Sequence, residues 1–288
     1  LFKAENFTAR EVEFYEDAFE YYSKAISVTE NFPELTNQDR IDLRDMRKRK
    51  ERAWARIYMA AEKEKEAGNT QKAKEIFELA HKLEPDRPEP MIQLKNIYLV
   101  DIKDEVKAEQ ILKQLLQKDP DKLEYLLEMG TFYYNKGNYA EAVKYFDHAR
   151  VQNPTNVDNL MNISACYYEL KDYEKAMIAT KTALEIEPNN LDLLENARSI
   201  ADQMNDLDQS IEYLKRILDI RPNEDTYSIL AAHLMQKQDW QQLIKYAEEW
   251  YNWDTTNKIA VEYIIWAAQQ SGNRLLATKY SEIKNKMP

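Results

Sequence analysis

A chain of 288 residues with a formal net charge of −11 offers no broad basic surface for nucleic acid. It contains no run near the roughly 18 apolar residues that a membrane-crossing helix needs. A single cysteine, Cys166, excludes an internal disulfide, and four glycines are too few for a domain rich in sheet and tight hairpins.

The first predicted element is a helix over residues 8–30, with Phe14, Ala18, Tyr21, Tyr22 and Ala25 on one face. Asn31, Phe32 and Pro33 break it, and Thr36-Asn37 caps a second helix that runs on towards Trp54. Residues 1–53 are therefore expected to form an N-terminal helical cap. The second helix contains RDMRKRKERAWAR, from Arg44 to Arg56. Interleaved Asp45 and Glu51 favour reading it as a solvated, ion-paired helix face. A localisation or polyanion patch, and a basic docking end for an acidic or lipid partner, stay open beside that reading.

From there a rhythm takes over. Pro85, Pro120, Pro154, Pro188 and Pro222 follow at intervals of 35, 34, 34 and 34 residues, as in a stack of copies of one unit. The clearest copy, residues 123–154, reads LEYLLEMGTFYYNKGNYAEAVKYFDHARVQNP. Leu126, Met129, Gly130 and Tyr133 share one face of a first helix, and Ala142, Phe146 and Ala149 one face of a second. Gly137 turns the chain between them and Pro154 ends the unit.

This pattern resembles the tetratricopeptide repeat. The family's W-x2-L-G-x2-Y appears as Leu126-x2-Met129-Gly130-x2-Tyr133, its A-x3-F as Ala142-x3-Phe146, and its closing proline as Pro154. Neighbouring copies keep the register: Leu160, Ile163, Ser164 and Tyr167, then Ala176, in one; Leu194, Ala197, Arg198 and Ala201, then Ser210, in the next. The copy near Glu89 would use Ile92 and Leu99, with Lys95 and Asn96 as polar departures. About seven repeats are expected over residues 54–288, starting near 54, 89, 123, 157, 191, 224 and 258. The implied fold is all-α, a right-handed superhelical solenoid of helix-turn-helix repeats behind the N-terminal cap.

Chemistry finds little foothold. His81, His148 and His233 fall in different repeats without metal-site spacing, and no phosphate-cradling loop or nucleophile elbow is present. No cofactor, no metal and no catalysis are expected.

The resemblance implies that first helices line a concave groove. The groove residues are then Leu127, Glu128, Thr131 and Tyr134 in one repeat, Asp158, Met161, Asn162 and Tyr168 in the next, and Glu195 and Asn196 in the third. Lys and Arg are missing from the places where a chaperone-type clamp would grip an acidic tail. The expected partner is a neutral-to-basic peptide or helix: tyrosines anchor apolar groups, amides bond peptide backbone, and carboxylates repel acidic ligands. For the C-terminal aromatics Trp240 and Trp250 the expectation is core, and for Tyr251 and Trp253 an end cap.

Two other functions stay open. Because the chain begins at Leu1, a leader or lipid anchor could precede it, which would suit a bacterial envelope or periplasmic assembly or secretion accessory, including a lipoprotein. A self-assembling structural repeat protein is the other, so the homo-oligomeric state and the compartment are left open.

Overall fold

The structure is a computed structural model that describes the backbone of residues 2–287 and the side chains of residues 9–287. Helices and their turns make up the described residues, with no strand among them. The chain divides into two compact units, the first ending at Tyr125 and the second beginning at Leu126.

The first unit opens with two long helices, α1 (Phe2–Glu30) and α2 (Asn37–Glu66). A capping box starts α2: Thr36 Oγ1 accepts from the Asp39 N–H at 3.2 Å, and Asp39 Oδ2 accepts from the Thr36 N–H at 2.8 Å. α1 packs on α2 through Val12, Tyr15 and Phe19. This corrects the apolar face expected for α1, since Phe14 and Tyr21 are 66% and 68% exposed. The helix carries two apolar seams, and its contact with α2 buries only one. α3 (Thr70–Leu83), α4 (Glu89–Asn96) and α5 (Glu105–Lys118) follow. Trp54 Nε1 donates to the Ala80 carbonyl at 2.9 Å and ties α2 to α3.

Between α4 and α5 the helix widens into a π-helical turn, Ile97–Ile102. That turn absorbs the extra residue of the one 35-residue proline interval. The buried apolar face is Met91 and Leu94 ahead of it and Ile97 and Tyr98 at its start. Ile92 is only half-buried and Leu99 is 41% exposed, so the face expected from unbroken α periodicity is corrected here.

The second unit takes in most of α6 (Leu123–Asn135), then α7 (Tyr139–Gln152), α8 (Val157–Glu169), α9 (Tyr173–Ile186), α10 (Leu191–Gln203), α11 (Leu207–Ile220), α12 (Glu224–Gln236), α13 (Trp240–Trp253), α14 (Lys258–Gln270) and α15 (Arg274–Lys286). From α7 on, each helix packs on its neighbours in sequence. Even-numbered helices correspond to the first helix of a repeat and odd-numbered ones to the second. Gly130 of α6 lets Phe146 of α7 lie against the helix backbone; a Cβ there would sit 2.5 Å from the ring. At the far end Trp250 is buried and stacks on Tyr227, with ring centroids 5.7 Å apart. Trp240 is half-buried, edge-on to Trp266 at 4.9 Å. Tyr251 meets Tyr280 of α15 at 6.0 Å, while Trp253 stays 51% exposed.

Every turn between paired helices shares one local regularity, which the sequence also carries. Gly68, Lys103, Gly137, Lys171, Asn205, Gln238 and Gly272 all have positive φ, and each is followed by Asn or Asp. Six of those following residues cap the next helix with the side chain, as Asp172 does for the Lys175 N–H at 3.2 Å. Asn69 is the seventh; its amide instead donates to the buried Glu64 carboxylate at 2.8 Å, beside Lys72 at 2.9 Å. Backbone bonds close the motif, for example Asp172 N–H to the Tyr167 carbonyl at 2.9 Å. After the π-helical turn the equivalent bond reaches one residue further, from Asp104 to Tyr98. Left-handed backbone is costly for a side-chain-bearing residue. Lys171→Gly and Gln238→Gly are each expected to raise stability by about 0.5–1 kcal/mol in urea titrations. A loss of stability in both would show that their side chains hold the turns.

Candidate peptide-binding groove

The face formed by α6, α8 and α10 carries the residues expected to bind a ligand. On α6, Leu127 is half-buried against the α7–α8 core, and Thr131 is exposed with its hydroxyl donated to the Leu127 carbonyl at 2.9 Å. Glu128 is half-buried beside them. Tyr134 is half-buried, with its ring edge-on to Tyr139 at 5.2 Å. Burial, then the neighbouring Glu169 carboxylate, push its phenol above the ordinary tyrosine range.

α8 repeats the arrangement one step along. Tyr168 is half-buried and edge-on to Tyr173 at 5.5 Å, so each groove tyrosine leans on a tyrosine that opens the following helix. Met161 packs into the α8–α11 core. Asn162 is half-buried and Asp158 is exposed in the first turn of α8. Cys166 is buried beneath this face, and burial alone pushes its thiol up to about 12, so it behaves as an inert core residue.

α8 and α10 enclose a cleft of about 190 Å³ lined by Ser164, Ala165, Tyr168, Glu169, Asn196, Ser199 and Ile200. Tyr168 Oη and Ser199 Oγ lie 3.5 Å apart across it. Two of the expected residues, Tyr168 and Asn196, thus meet in one cavity, and Tyr134 borders it through Glu169. Leu127, Glu128, Thr131, Asp158, Met161, Asn162 and Glu195 lie outside that cleft. Its floor, Ser164 and Ile200, was not among the expected residues. Ser164 occupies the close-packing place that Gly130 holds one repeat earlier, and its hydroxyl pairs with Thr180 at 2.7 Å.

A second arrangement escaped the sequence reading. Arg198 stands at that same close-packing place in α10. It donates through Nε to Glu195 at 2.9 Å and through Nη1 to Asp202 at 2.7 Å, while His233 of α12 meets the other Asp202 oxygen at 2.8 Å. Burial opposes the charge on Asp202, but the nearby Ser210 hydroxyl, His233 and Arg198 outweigh it and hold its carboxyl below the usual range. Ser210 makes no hydrogen bond of ordinary geometry, so it acts there as a nearby dipole. Glu195 is therefore already paired, whereas Asp158, Glu169 and Asp192 have no ion-pair partner among the described residues. The signal was present: a long cation where its neighbours place Gly and Ser.

The family described as ChAPs (Chs5p-Arf1p-binding proteins) matches residues 58–208, just over half of the chain, and the tetratricopeptide repeat matches residues 199–224. The chain belongs to the ChAPs family and is a tetratricopeptide-repeat protein. No curated protein matches it. Among solved structures it is similar to a MamA protein, at 20% identity and a TM-score of 0.51, over 58% of this chain and 91% of that one. It is also similar to residues 41 to the end of MamA from Desulfovibrio magneticus RS-1, at 15% identity and a TM-score of 0.50, over 60% and 97%. YrrB, described as a tetratricopeptide-repeat protein with an unusual peptide-binding site, matches at 16% identity and a TM-score of 0.50, over 64% and 91%. These likenesses establish the solenoid-type fold. Among the described residues no helix is long and apolar enough to cross a membrane, and no group of His, Cys, Asp and Glu could hold a metal ion.

Proposed function

We propose that this tetratricopeptide-repeat protein is a non-enzymatic interaction scaffold that holds a neutral-to-basic peptide along the face of α6, α8 and α10. The observation that carries this reading is the cleft that Tyr168 and Asn196 line together. Asn162 and Asn196 lie 34 residues apart, at equivalent places in successive repeats, and neither side chain has a hydrogen-bond partner among the described residues. Two such amides can bond the N–H and C=O groups of an extended peptide, which otherwise lose their water partners on docking. Tyr168 supplies an apolar wall, and Glu169, beside Tyr134, favours a cationic side chain and repels an acidic one. The ChAPs family, named as Chs5p-Arf1p-binding proteins, and YrrB, with its unusual peptide-binding site, support a binding role by analogy.

The side-chain amides of Asn162 and Asn196 are built-in reporters. In nitrogen-15 spectra, titration with a short extended peptide containing lysine and leucine is expected to shift both amide pairs, and the glutamate-for-lysine peptide to shift them far less. Tyr168→Lys together with Asn196→Ala should weaken binding about tenfold or more. Shifts confined to other surfaces, or equal response to the two peptides, would refute the groove assignment.

A further inference from the structure

α2 sorts its cations into two sets. Arg47, Arg49 and Lys50 are each committed inside the chain: Arg47 to Glu30, Arg49 to Asp45 at 2.8 Å and Lys50 to Glu84 at 2.9 Å. Arg40, Arg44, Lys48, Arg52 and Arg56 are all exposed, and none has an ion-pair partner among the described residues. These five follow at four-residue intervals. Nearby carboxylates are engaged elsewhere, Glu51 with Arg87 and Asp42 as acceptor from Gln38 Nε2 at 2.8 Å. Like charges four residues apart destabilise a helix, so the row works against the fold and no ion pair among the described residues offsets it.

A four-residue row is also a packing ridge, the kind that seats in the groove of a second helix. Its charges step by about 6 Å and wind by about 40° per step, so that the five cations turn about 160° around α2. A flat anionic membrane could meet only part of such a row. A long duplex polyanion would also feel the net charge of −11 on this chain. A short acidic segment feels chiefly the local charges, because the field decays within about 10 Å. One open cleft is lined by Leu35, Arg40, Leu43, Arg44, Arg47, Lys48 and Glu51; half-buried Leu35, backed by the buried Leu43, offers an apolar seat there, and the Glu51 carboxylate is taken up by Arg87.

We propose that this ridge of α2 is a docking site for an acidic amphipathic helix of a partner protein, with carboxylates at four-residue spacing and an apolar residue set into the Leu35–Leu43 cleft. It is separate from the groove of the second unit and opposite to it in charge preference. The probe is a fluorescein-labelled peptide of five Glu-Ala-Gln-Leu units, followed by anisotropy against the full chain, with a glutamine-for-glutamate peptide as control. The acidic peptide is expected to bind, less tightly as salt rises, and the control to bind poorly. Arg44→Gln/Lys48→Gln/Arg52→Gln should weaken binding about tenfold or more, leave Tm unchanged or raised, and Tyr168→Lys should have no effect. Undiminished binding by the triple variant would overturn the proposal, as would a fall in its Tm that shows the row to be structural. Tighter association with phosphatidylserine vesicles or a DNA duplex than with the peptide would overturn it in favour of those surfaces.

Discussion

Gly130→Val is expected to destabilise the second unit by about 3 kcal/mol, the upper end for overpacking a filled core. A first side-chain carbon at this place already falls 2.5 Å from Phe146 Cε1, and Phe146 is buried with 1% exposure, so the ring has nowhere to retreat. Valine adds two methyl groups to that overlap. Phe146→Leu alone should cost about 1–2 kcal/mol through the cavity it leaves. The test is the double substitution, because leucine frees the volume that valine needs. Its measured loss in urea unfolding should be clearly smaller than the sum of the two single losses. Simple additivity would mean that the ring and the glycine do not share one packing site. Since a repeat stack need not unfold as one unit, the transition should be followed by tyrosine fluorescence and by circular dichroism together.

Asp202→Ala is expected to cost about 1–2 kcal/mol at neutral pH, because it removes the shared partner of Arg198 and His233 and leaves the partly buried guanidinium and the His233 ring without it. The side chain is 26% exposed, so water reaches the pair and the loss stays below that of a fully buried ion pair. The carboxyl is held below its ordinary value in the folded chain, so its contribution is complete above the unfolded value near 4 and disappears as pH falls through the lower folded value. The stability gap between wild type and Asp202→Ala should therefore be present at neutral pH and close in the acid range. A gap that persists unchanged at low pH would assign the loss to packing and not to the carboxylate. For the proposed peptide site, Arg198 takes up Glu195 and leaves Glu169 as the carboxylate that lines the cleft with Tyr168 and Asn196.

How far the sequence speaks depends on how local each determinant is. The helix-turn-helix unit was legible from Pro154, Gly137 and the Leu126–Tyr133 spacing, because a break, a left-handed turn and a helical face are each properties of a few consecutive residues. The Asn or Asp that follows every turn residue was equally local, a regularity present in the sequence and simply not used. The groove tyrosines were placed on their helices by the same short-range logic.

What lay beyond it involves partners about one repeat apart. Helical periodicity put Phe14 and Tyr21 on one seam of α1 and Val12 and Phe19 on another, and only the contact with α2 chose the second for burial. The extra residue between Pro85 and Pro120 was countable, but its accommodation as a π-helical turn, which rotates Leu99 outward, depended on packing on both sides. Tyr168 and Asn196 line one cleft, and Asp202 meets His233, across helices of successive repeats. By itself the sequence determined the repeating unit, its register and the all-α class, because backbone preference and side-chain spacing act within a turn or two. Only the tertiary structure decided which apolar seam is buried, which carboxylates are neutralised and where a cleft opens, because those outcomes depend on the side chains a neighbouring helix presents.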